Sequence, residues 1–156
     1  MMTNLKIRPA RSGDWPQLET LVAEISKFHG DTHGLTRATF DDFATRENAP
    51  VTVMVAETED KLLVGFVAGF AIYDFHMGKT KFEIHNLFVH ENFRRQRIGE
   101  VLMIHIMQVA RRKLGAVRFG LGALNWNKEA LEFYKQLGFA SNESAKDTLR
   151  LFREGA

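Results

Sequence analysis

Between Glu83 and Gly99 the chain reads EIHNLFVHENFRRQRIG, and no other stretch restricts the possible folds as tightly. Leu87, Phe88 and Val89 form an apolar run suited to a buried strand. His90 to Asn92 break that run, Arg94, Arg95 and Arg97 follow close together, and Gly99 opens an apolar segment from Val101 to Ala110. The order is strand, basic loop, helix N-terminus. The first turn of a helix has backbone N–H groups without intrahelical partners and carries the positive end of the helix dipole, so it favours anions, phosphates above all. Neighbouring arginines add bidentate phosphate donors. A site for a phosphorylated ligand fits this stretch. A solvated basic loop between two core elements fits it too, because charge runs commonly face water.

The chain's 156 residues suit one domain, 1–156, with its own core. At 45% hydrophobic and 26% charged, the composition is that of a soluble globular protein. No apolar run is long enough to span a bilayer, and the opening MMTNLKIRPARSGD lacks a signal-peptide apolar region. The expectation is a cytoplasmic protein with no membrane partner. The absence of cysteine excludes disulfides, thiolate metal sites and a cysteine nucleophile. Net charge is only +2, from 21 basic and 19 acidic side chains, so a nucleic-acid partner is not expected. The basic character is local, which points to a small anionic ligand.

Hydrophobic spacing gives the remaining elements. Leu5 to Arg8 reads as a first strand. Asp14 is placed to cap a helix, with Gln17 in the capping-box position, and Leu18, Leu21, Val22, Ile25 and Phe28 follow at helical spacing. His29 to Gly34, HGDTHG, is a glycine-bounded loop. Its two histidines have no helix to align them, so it reads as a polar loop and no metal is expected. Thr36 to Arg46 predicts a second, weaker helix with Leu35, Phe40 and Phe43 facing inward. Val51 to Glu57 and Leu62 to Tyr73 predict a hairpin of buried strands, in which Gly65 and Gly69 mark close packing or a bulge. Gly78-Lys79-Thr80 resembles the end of a nucleotide P-loop, but Tyr73 stands where that motif needs glycine. Lys81 to Val89 is a third strand and Val117 to Leu121 a further one. The helix between them, Ile98 to about Leu114, is apolar nearly all round and predicted to pack on more than one side. This βαβ order implies a parallel pair. Asn127 predicts a cap for a helix to about Leu137, ended by Gly138, and Thr148 to Arg153 a last strand.

Phe88-Val89, Phe93-Arg94 through Ile98-Gly99, and Asn127-x-x-Ala130-x-x-Phe133-Tyr134-x-x-x-Gly138-Phe139 together resemble the GCN5-related N-acetyltransferase superfamily. The first part is similar to its acetyl-CoA pyrophosphate loop, the second to its asparagine-and-tyrosine helix. Tyr73-Asp74 with Gly78-Lys79, and Trp126-Asn127 before Phe133-Tyr134-Lys135, are similar to the diamine and thialysine N-acetyltransferase branch. Arg97 departs from the pattern, standing where the first loop glycine is expected. An arginine there keeps its backbone N–H available if φ stays negative, and its guanidinium would help bind phosphate.

The resemblance implies an α/β (α+β) fold: a mixed, mostly antiparallel, twisted sheet flanked by helices and splayed between two parallel central strands. It implies acetyl-CoA as cofactor, with CoA as product, and direct attack by an amine. Leu87, Phe88 and Val89 would bind the pantetheine arm. Arg94, Arg95, Gln96, Arg97, Ile98, Gly99 and Glu100 would hold the pyrophosphate, with Asn127, Ala130 and Tyr134 completing the cofactor site. Tyr134 would be the general acid to sulfur. His85 is the candidate base, because imidazole titrates in the useful range. A hydrogen-bonded strand histidine is the plain alternative, and Glu83, on the same face by strand alternation, is in reserve. Phe28, His29, His85 and Asn86 fall where the branch contacts its acceptor. His29, His85 and Asn86 are not anionic, so a small amine of low net charge is expected in preference to a polyamine. Asp31, Asp41 and Asp42 stand nearby. Transfer to a protein lysine or N-terminus, or non-catalytic acyl-CoA sensing, is the alternative. The relatives implied are homodimers, so a homodimer is expected.

Overall fold

A computed structural model describes residues 4–141, 151 and 153–155. Val51 to Thr58 (β2) and Leu63 to Asp74 (β3) pair as the predicted antiparallel hairpin. Its turn is closed by the Thr58 N–H donating to the Leu62 carbonyl at 2.9 Å, with Lys61 at φ 66°. Lys79 to Val89 (β4) returns beside β3, and Leu5 to Pro9 (β1) lies on the other side of β2. Ala116 to Leu121 (β5) completes the order β1-β2-β3-β4-β5. Only β4 and β5 run parallel, as the βαβ reading requires, so the sheet is mixed and mostly antiparallel.

The two strand glycines have the roles their spacing suggested. A Cβ on Gly65 would lie 2.8 Å from the Phe88 carbonyl oxygen. One on Gly69 would lie 2.6 Å from the Glu83 carbonyl oxygen and inside the Phe82 ring contact. The register also shifts here, from Ala68 opposite Asn86 to Gly69 opposite Ile84. His85 is therefore the extra residue of a bulge, a device that re-aims a side chain.

Trp15 to His29 (α1) buries Leu18, Leu21 and Ile25 against one face of the sheet, with Val53, Val55, Phe66 and Phe88. Each such side chain contributes roughly 1.5–3 kcal/mol by leaving water. The expected cap of α1 does not form. Asp14 makes no side-chain cap, and Pro16, in the first turn, has no N–H to offer. Gln17 instead bonds the backbone of Lys61 and Leu63 across the fold. The second helical segment covers nearly the expected residues, but only its first turn is α-helical. Arg37 to Phe40 (α2), capped reciprocally by Thr36 and Thr39, runs into a π-helical turn over Asp41 to Thr45. The wider turn brings Ala44, not Phe43, back over the core. Phe40 is 1% exposed, as predicted, whereas Phe43 is 47% exposed, against its predicted inward placement.

Ile98 to Leu114 (α3) occupies the predicted span and covers the opposite sheet face. Gly65 faces its Leu102, while the adjacent Phe66 joins the α1 cluster. It buries one stripe, Leu102, Met103, Ile106 and Ala110, rather than several sides. Val101 and Ile104 remain 37% and 39% exposed, because a single sheet face covers only one side of a helix.

Asp14 is taken by a buried network. The Arg8 guanidinium makes two 2.8 Å bonds to its carboxylate and a 2.6 Å bond to Glu57. The three residues, on β1, the turn before α1, and β2, are each under 9% exposed.

The described residues divide into two compact units between Gly122 and Ala123. The second contains Lys128 to Gln136 (α4), capped as expected: the Asn127 side chain accepts from the Ala130 N–H at 3.2 Å. Gly138, at φ 92°, ends it, and the Phe139 N–H donates back to the Tyr134 carbonyl at 3.0 Å. The strand predicted from Thr148 to Arg153 falls largely outside the described residues.

Candidate active site

Three features of the first unit meet on β4. The first is its edge. Pairing with β5 stops at Ile84 opposite Leu121, while β4 continues to Val89. Among the described residues, the stretch from His85 to Val89, which includes Asn86, Leu87 and Phe88, has a strand neighbour on the β3 side alone. Its other edge presents backbone groups that an extended ligand can pair with.

The second feature is the loop after β4. The Arg94 guanidinium lies 5.6 Å from the Phe88 ring centroid, and its Nε donates to the Val89 carbonyl at 2.9 Å. The arginine is thus folded back onto the strand end. Arg95 and Arg97 both sit at φ 62°, in the left-handed region. The negative φ expected at Arg97 is therefore corrected: this position adopts the glycine-favoured conformation while keeping an arginine, at a cost of roughly 1–2 kcal/mol. Nor is the Arg97 side chain available as expected. It forks onto the Glu100 carboxylate with two 2.8 Å bonds, which hold Glu100 below its ordinary range. Arg95 is exposed and makes no such contact among the described residues. No side chain caps α3, so the N–H groups at Ile98, Gly99 and Glu100 face the loop without intrahelical partners. Gln96, partly buried, sits between the two left-handed arginines.

The third feature is a cavity of about 600 Å³ over the α1 side of the sheet. Its walls are apolar: Leu18, Val22 and Ile25 from α1, Phe40 beyond it, and Val53 and Phe66 from the strands. Its polar lining comes from the end of α1 and the following loop (Ser26, His29, Asp31, His33) and from His85 and Asn86 on β4. The bulge is what delivers His85 here, with its ring 5.9 Å from that of Phe70. Phe70 is paired with Glu83, which places Glu83 on the same face, its carboxylate beside Gly120. Three of the four expected acceptor residues thus line one cavity. Phe28 does not: it is 52% exposed and packs against the His29 ring. Asp31 is the single carboxylate of the lining. Asp41 bonds Thr45 instead, and Asp42 stays outside.

His33 was legible only as part of a polar loop. Its Nδ1 is buried and has no hydrogen-bond partner among the described residues. No spacing rule says which imidazole of a loop folds inward. Among the described residues, no cluster of three or more histidine, aspartate or glutamate side chains is arranged to hold a metal ion. No helix among them is long and apolar enough to cross a membrane.

In the second unit, Asn127 and Ala130 form the cap of α4. Tyr134 lies further along it, its ring against Phe133 at 5.2 Å and Phe139 at 6.1 Å. Burial pushes the Tyr134 phenol above its ordinary pKa.

Comparison with known proteins gives these features a context. The chain is 28% identical over 149 residues to a thialysine N-epsilon-acetyltransferase of Mus musculus, covering 88% of this chain and 85% of that one. A segment of 79 residues is 34% identical to an L-ornithine N5-acetyltransferase of Arabidopsis thaliana, covering 51% of this chain and 34% of that one. The fold matches that of a solved probable acetyltransferase with a TM-score of 0.80 at 23% identity, covering 96% and 99% of the two chains. The model of the Acetyltransferase (GNAT) family matches residues 15–139, from the first residue of α1 to beyond α4, so the chain belongs to that family and is an N-acetyltransferase.

Proposed function

We propose that the protein transfers the acetyl group of acetyl-CoA to the primary amine of a small molecule, by direct attack of the amine within one domain formed by residues 1–156. The observation that carries this reading is the juxtaposition on β4: a one-sided strand edge continues into an uncapped, arginine-flanked helix start, and the same strand lines a cavity with His85 and Asn86. The donor set fits the cofactor. Leu87 to Val89 offer edge backbone groups to an amide-bearing arm, as an added strand would use them. Arg94, Arg95, Gln96 and the N–H groups of Ile98 to Glu100 suit the phosphates, with Arg97 contributing backbone rather than its paired guanidinium. Asn127 and Ala130 are assigned to the cofactor by their place in the family motif. Bound acetyl-CoA supplies an acetyl thioester already activated for attack.

The chain's own residues supply the proton traffic. An alkylammonium has a pKa of about 10, so the amine must lose a proton before it attacks. His85, held in the cavity by the bulge, accepts it directly or through water, with Glu83 in reserve. Backbone amides of Leu87 to Val89 polarise the thioester carbonyl. Tyr134, a phenol that is protonated at neutral pH even at the ordinary tyrosine pKa of about 10, donates to the departing sulfur.

The acceptor reading rests on charge. A lining with one carboxylate and three imidazoles suits an amine of low net charge better than a polyamine. That the similar proteins include enzymes of thialysine and ornithine supports the same class. The rival acceptors, a protein lysine or N-terminus, fit an open groove better than a cavity at the sheet face. A cytoplasmic homodimer completes the reading. The exposed apolar tip of the β3–β4 hairpin, with Tyr73 72% and Phe75 99% exposed, supports an interface there.

The mechanism is tested at Tyr134. Tyr134→Phe removes the donated proton and keeps the ring packing. It should lower kcat by ~10²-fold or more while acetyl-CoA affinity, measured by calorimetry, stays nearly constant. An unchanged kcat in a folded variant would remove Tyr134 from the reaction.

A further inference from the structure

The open edge of β4 is already occupied at one point. Gly65 of β3 stands opposite Val89, and the His90 N–H donates to the Val64 carbonyl at 2.9 Å. Bonded and non-bonded positions alternate along an antiparallel pair, so Val64 and His90 are a bonded pair and Gly65 and Val89 a non-bonded one. The backbone groups of Val89 therefore point away from β3, toward the edge that β5 leaves open. Those of Leu87 do the same, while Phe88 between them serves β3. On that edge the Arg94 Nε–H donates to the Val89 carbonyl at 2.9 Å, and the guanidinium lies 5.6 Å from the Phe88 ring centroid. An arginine of the loop assigned to the phosphates thus closes the strand end assigned to the pantetheine arm. A charged side chain laid over an unpaired edge group is one way proteins blunt a strand edge.

We infer that Arg94 is a specificity residue that guards this edge: it caps the Val89 carbonyl in the free protein and gives it up only to an acyl donor that offers phosphate in return. This deepens the reading of β4 and its loop as the acetyl-CoA site and rests on it. The argument is one of exchange. On the strand, Arg94 holds one hydrogen bond to a neutral carbonyl and one ring contact, and no other hydrogen bond or ion pair fixes its side chain among the described residues. A phosphate accepts from two guanidinium N–H groups at once, and such charge-assisted bonds are roughly twice as strong as neutral ones. Leaving Val89 is therefore favourable when a diphosphate is present. A thioester of pantetheine alone uses the same edge but brings nothing to receive the displaced guanidinium, so it binds against the Arg94 contact. Arg95 makes no contact with the edge among the described residues, so its charge serves the phosphates without guarding the strand.

The experiment compares acetyl-CoA with S-acetylpantetheine, which has the same arm and no phosphate, in the wild type, Arg94→Met and Arg95→Met. Dissociation constants come from NMR titration, without turnover. Arg94→Met keeps an apolar stem beside Phe88 and removes both the edge bond and the charge. It should bind acetyl-CoA about 10-fold more weakly than the wild type, yet bind S-acetylpantetheine about 3- to 10-fold more tightly. Arg95→Met should weaken acetyl-CoA and leave S-acetylpantetheine unchanged. A second readout follows the carbonyl itself. The Val89 carbonyl ¹³C resonance should move in the same direction when saturating inorganic pyrophosphate is added to the wild type as it does in ligand-free Arg94→Met, because both free that oxygen from Arg94. If S-acetylpantetheine binds Arg94→Met no better than the wild type, while the wild type binds acetyl-CoA, the inference is overturned and the cofactor reading stands, with Arg94 a plain phosphate ligand. A Val89 resonance that pyrophosphate leaves in place would overturn the exchange in the same way. Failure of the wild type to bind acetyl-CoA would overturn both the inference and the reading beneath it.

Discussion

Arg97 stands where the family's loop glycine is expected, and it keeps the backbone conformation that glycine favours. The position requires φ of 62°, which glycine adopts freely and arginine does not. The arginine is held there while its guanidinium forks onto Glu100, one turn into α3. Two substitutions separate the effects. Both Arg97→Ala and Arg97→Gly lose the fork, but only glycine relieves the backbone, so Arg97→Gly should be the more stable of the two by about 1 kcal/mol. Urea denaturation of both variants measures this, and equal stabilities would contradict a strained loop. The arginine's identity and its departure from the motif were legible in the sequence. The sign of its φ was not, because that depends on how the loop must turn to start α3. The inward turn of His33 was hidden for a similar reason: three loop histidines and aspartates look alike until the backbone orients them. Asn127, Gly138 and Phe139 were legible because capping depends on nearest neighbours along the chain.

Elements with strong local patterning appeared where their periodicity placed them, α3 to the residue and the β2–β3 hairpin to within one. The start of α1 did not, because a long-range contact overrides the local rule. Asp14 reads as a cap, but Arg8 from β1 claims its carboxylate, and Glu57 from β2 joins them. No local pattern announces a buried arginine in a short strand. The network ties together two strands and a turn, and removing its cation leaves Asp14 with the Arg11 N–H alone and Glu57 with a 3.5 Å contact to the exposed Lys61 ammonium. Arg8→Met should therefore destabilise the protein by ~3–5 kcal/mol near neutral pH. The pH dependence has a definite sign. Burial raises the Asp14 pKa, but its bonds to Arg8 and the Arg11 N–H outweigh this and hold it below its ordinary value. The Arg8 bond likewise lowers Glu57, while Arg8 itself stays charged. Carboxyl groups with lowered folded pKa values contribute stability that is present above about pH 4 and lost as pH falls through those values. The gap between wild type and Arg8→Met should shrink accordingly from about pH 7 to about pH 3. A constant gap across that range would contradict the network's electrostatic role.

At the scale of the whole molecule, a nearly balanced net charge coexists with sharply local charge. Basic side chains gather where β4 passes into α3, and a nearly neutral, imidazole-rich cavity lies over the same strand. The sheet order makes this arrangement possible: β4 has a full antiparallel neighbour on one side and a parallel neighbour that stops at Leu121 on the other. The basic end and the apolar strand were visible in the sequence, whereas the cavity was not, since its lining is gathered from α1, α2 and three strands. The reading makes one chemical claim above the rest, that an amine bound there receives an acetyl group. The most direct test incubates purified protein with acetyl-CoA and a panel of amino acids, diamines, spermidine and lysine peptides, following CoA release and identifying products by mass spectrometry. The account predicts a mono-acetylated amino acid as the best product, with spermidine a poor acceptor. Acetyl-CoA binding without acetylation of any amine, or spermidine as the best acceptor at neutral pH, would contradict it.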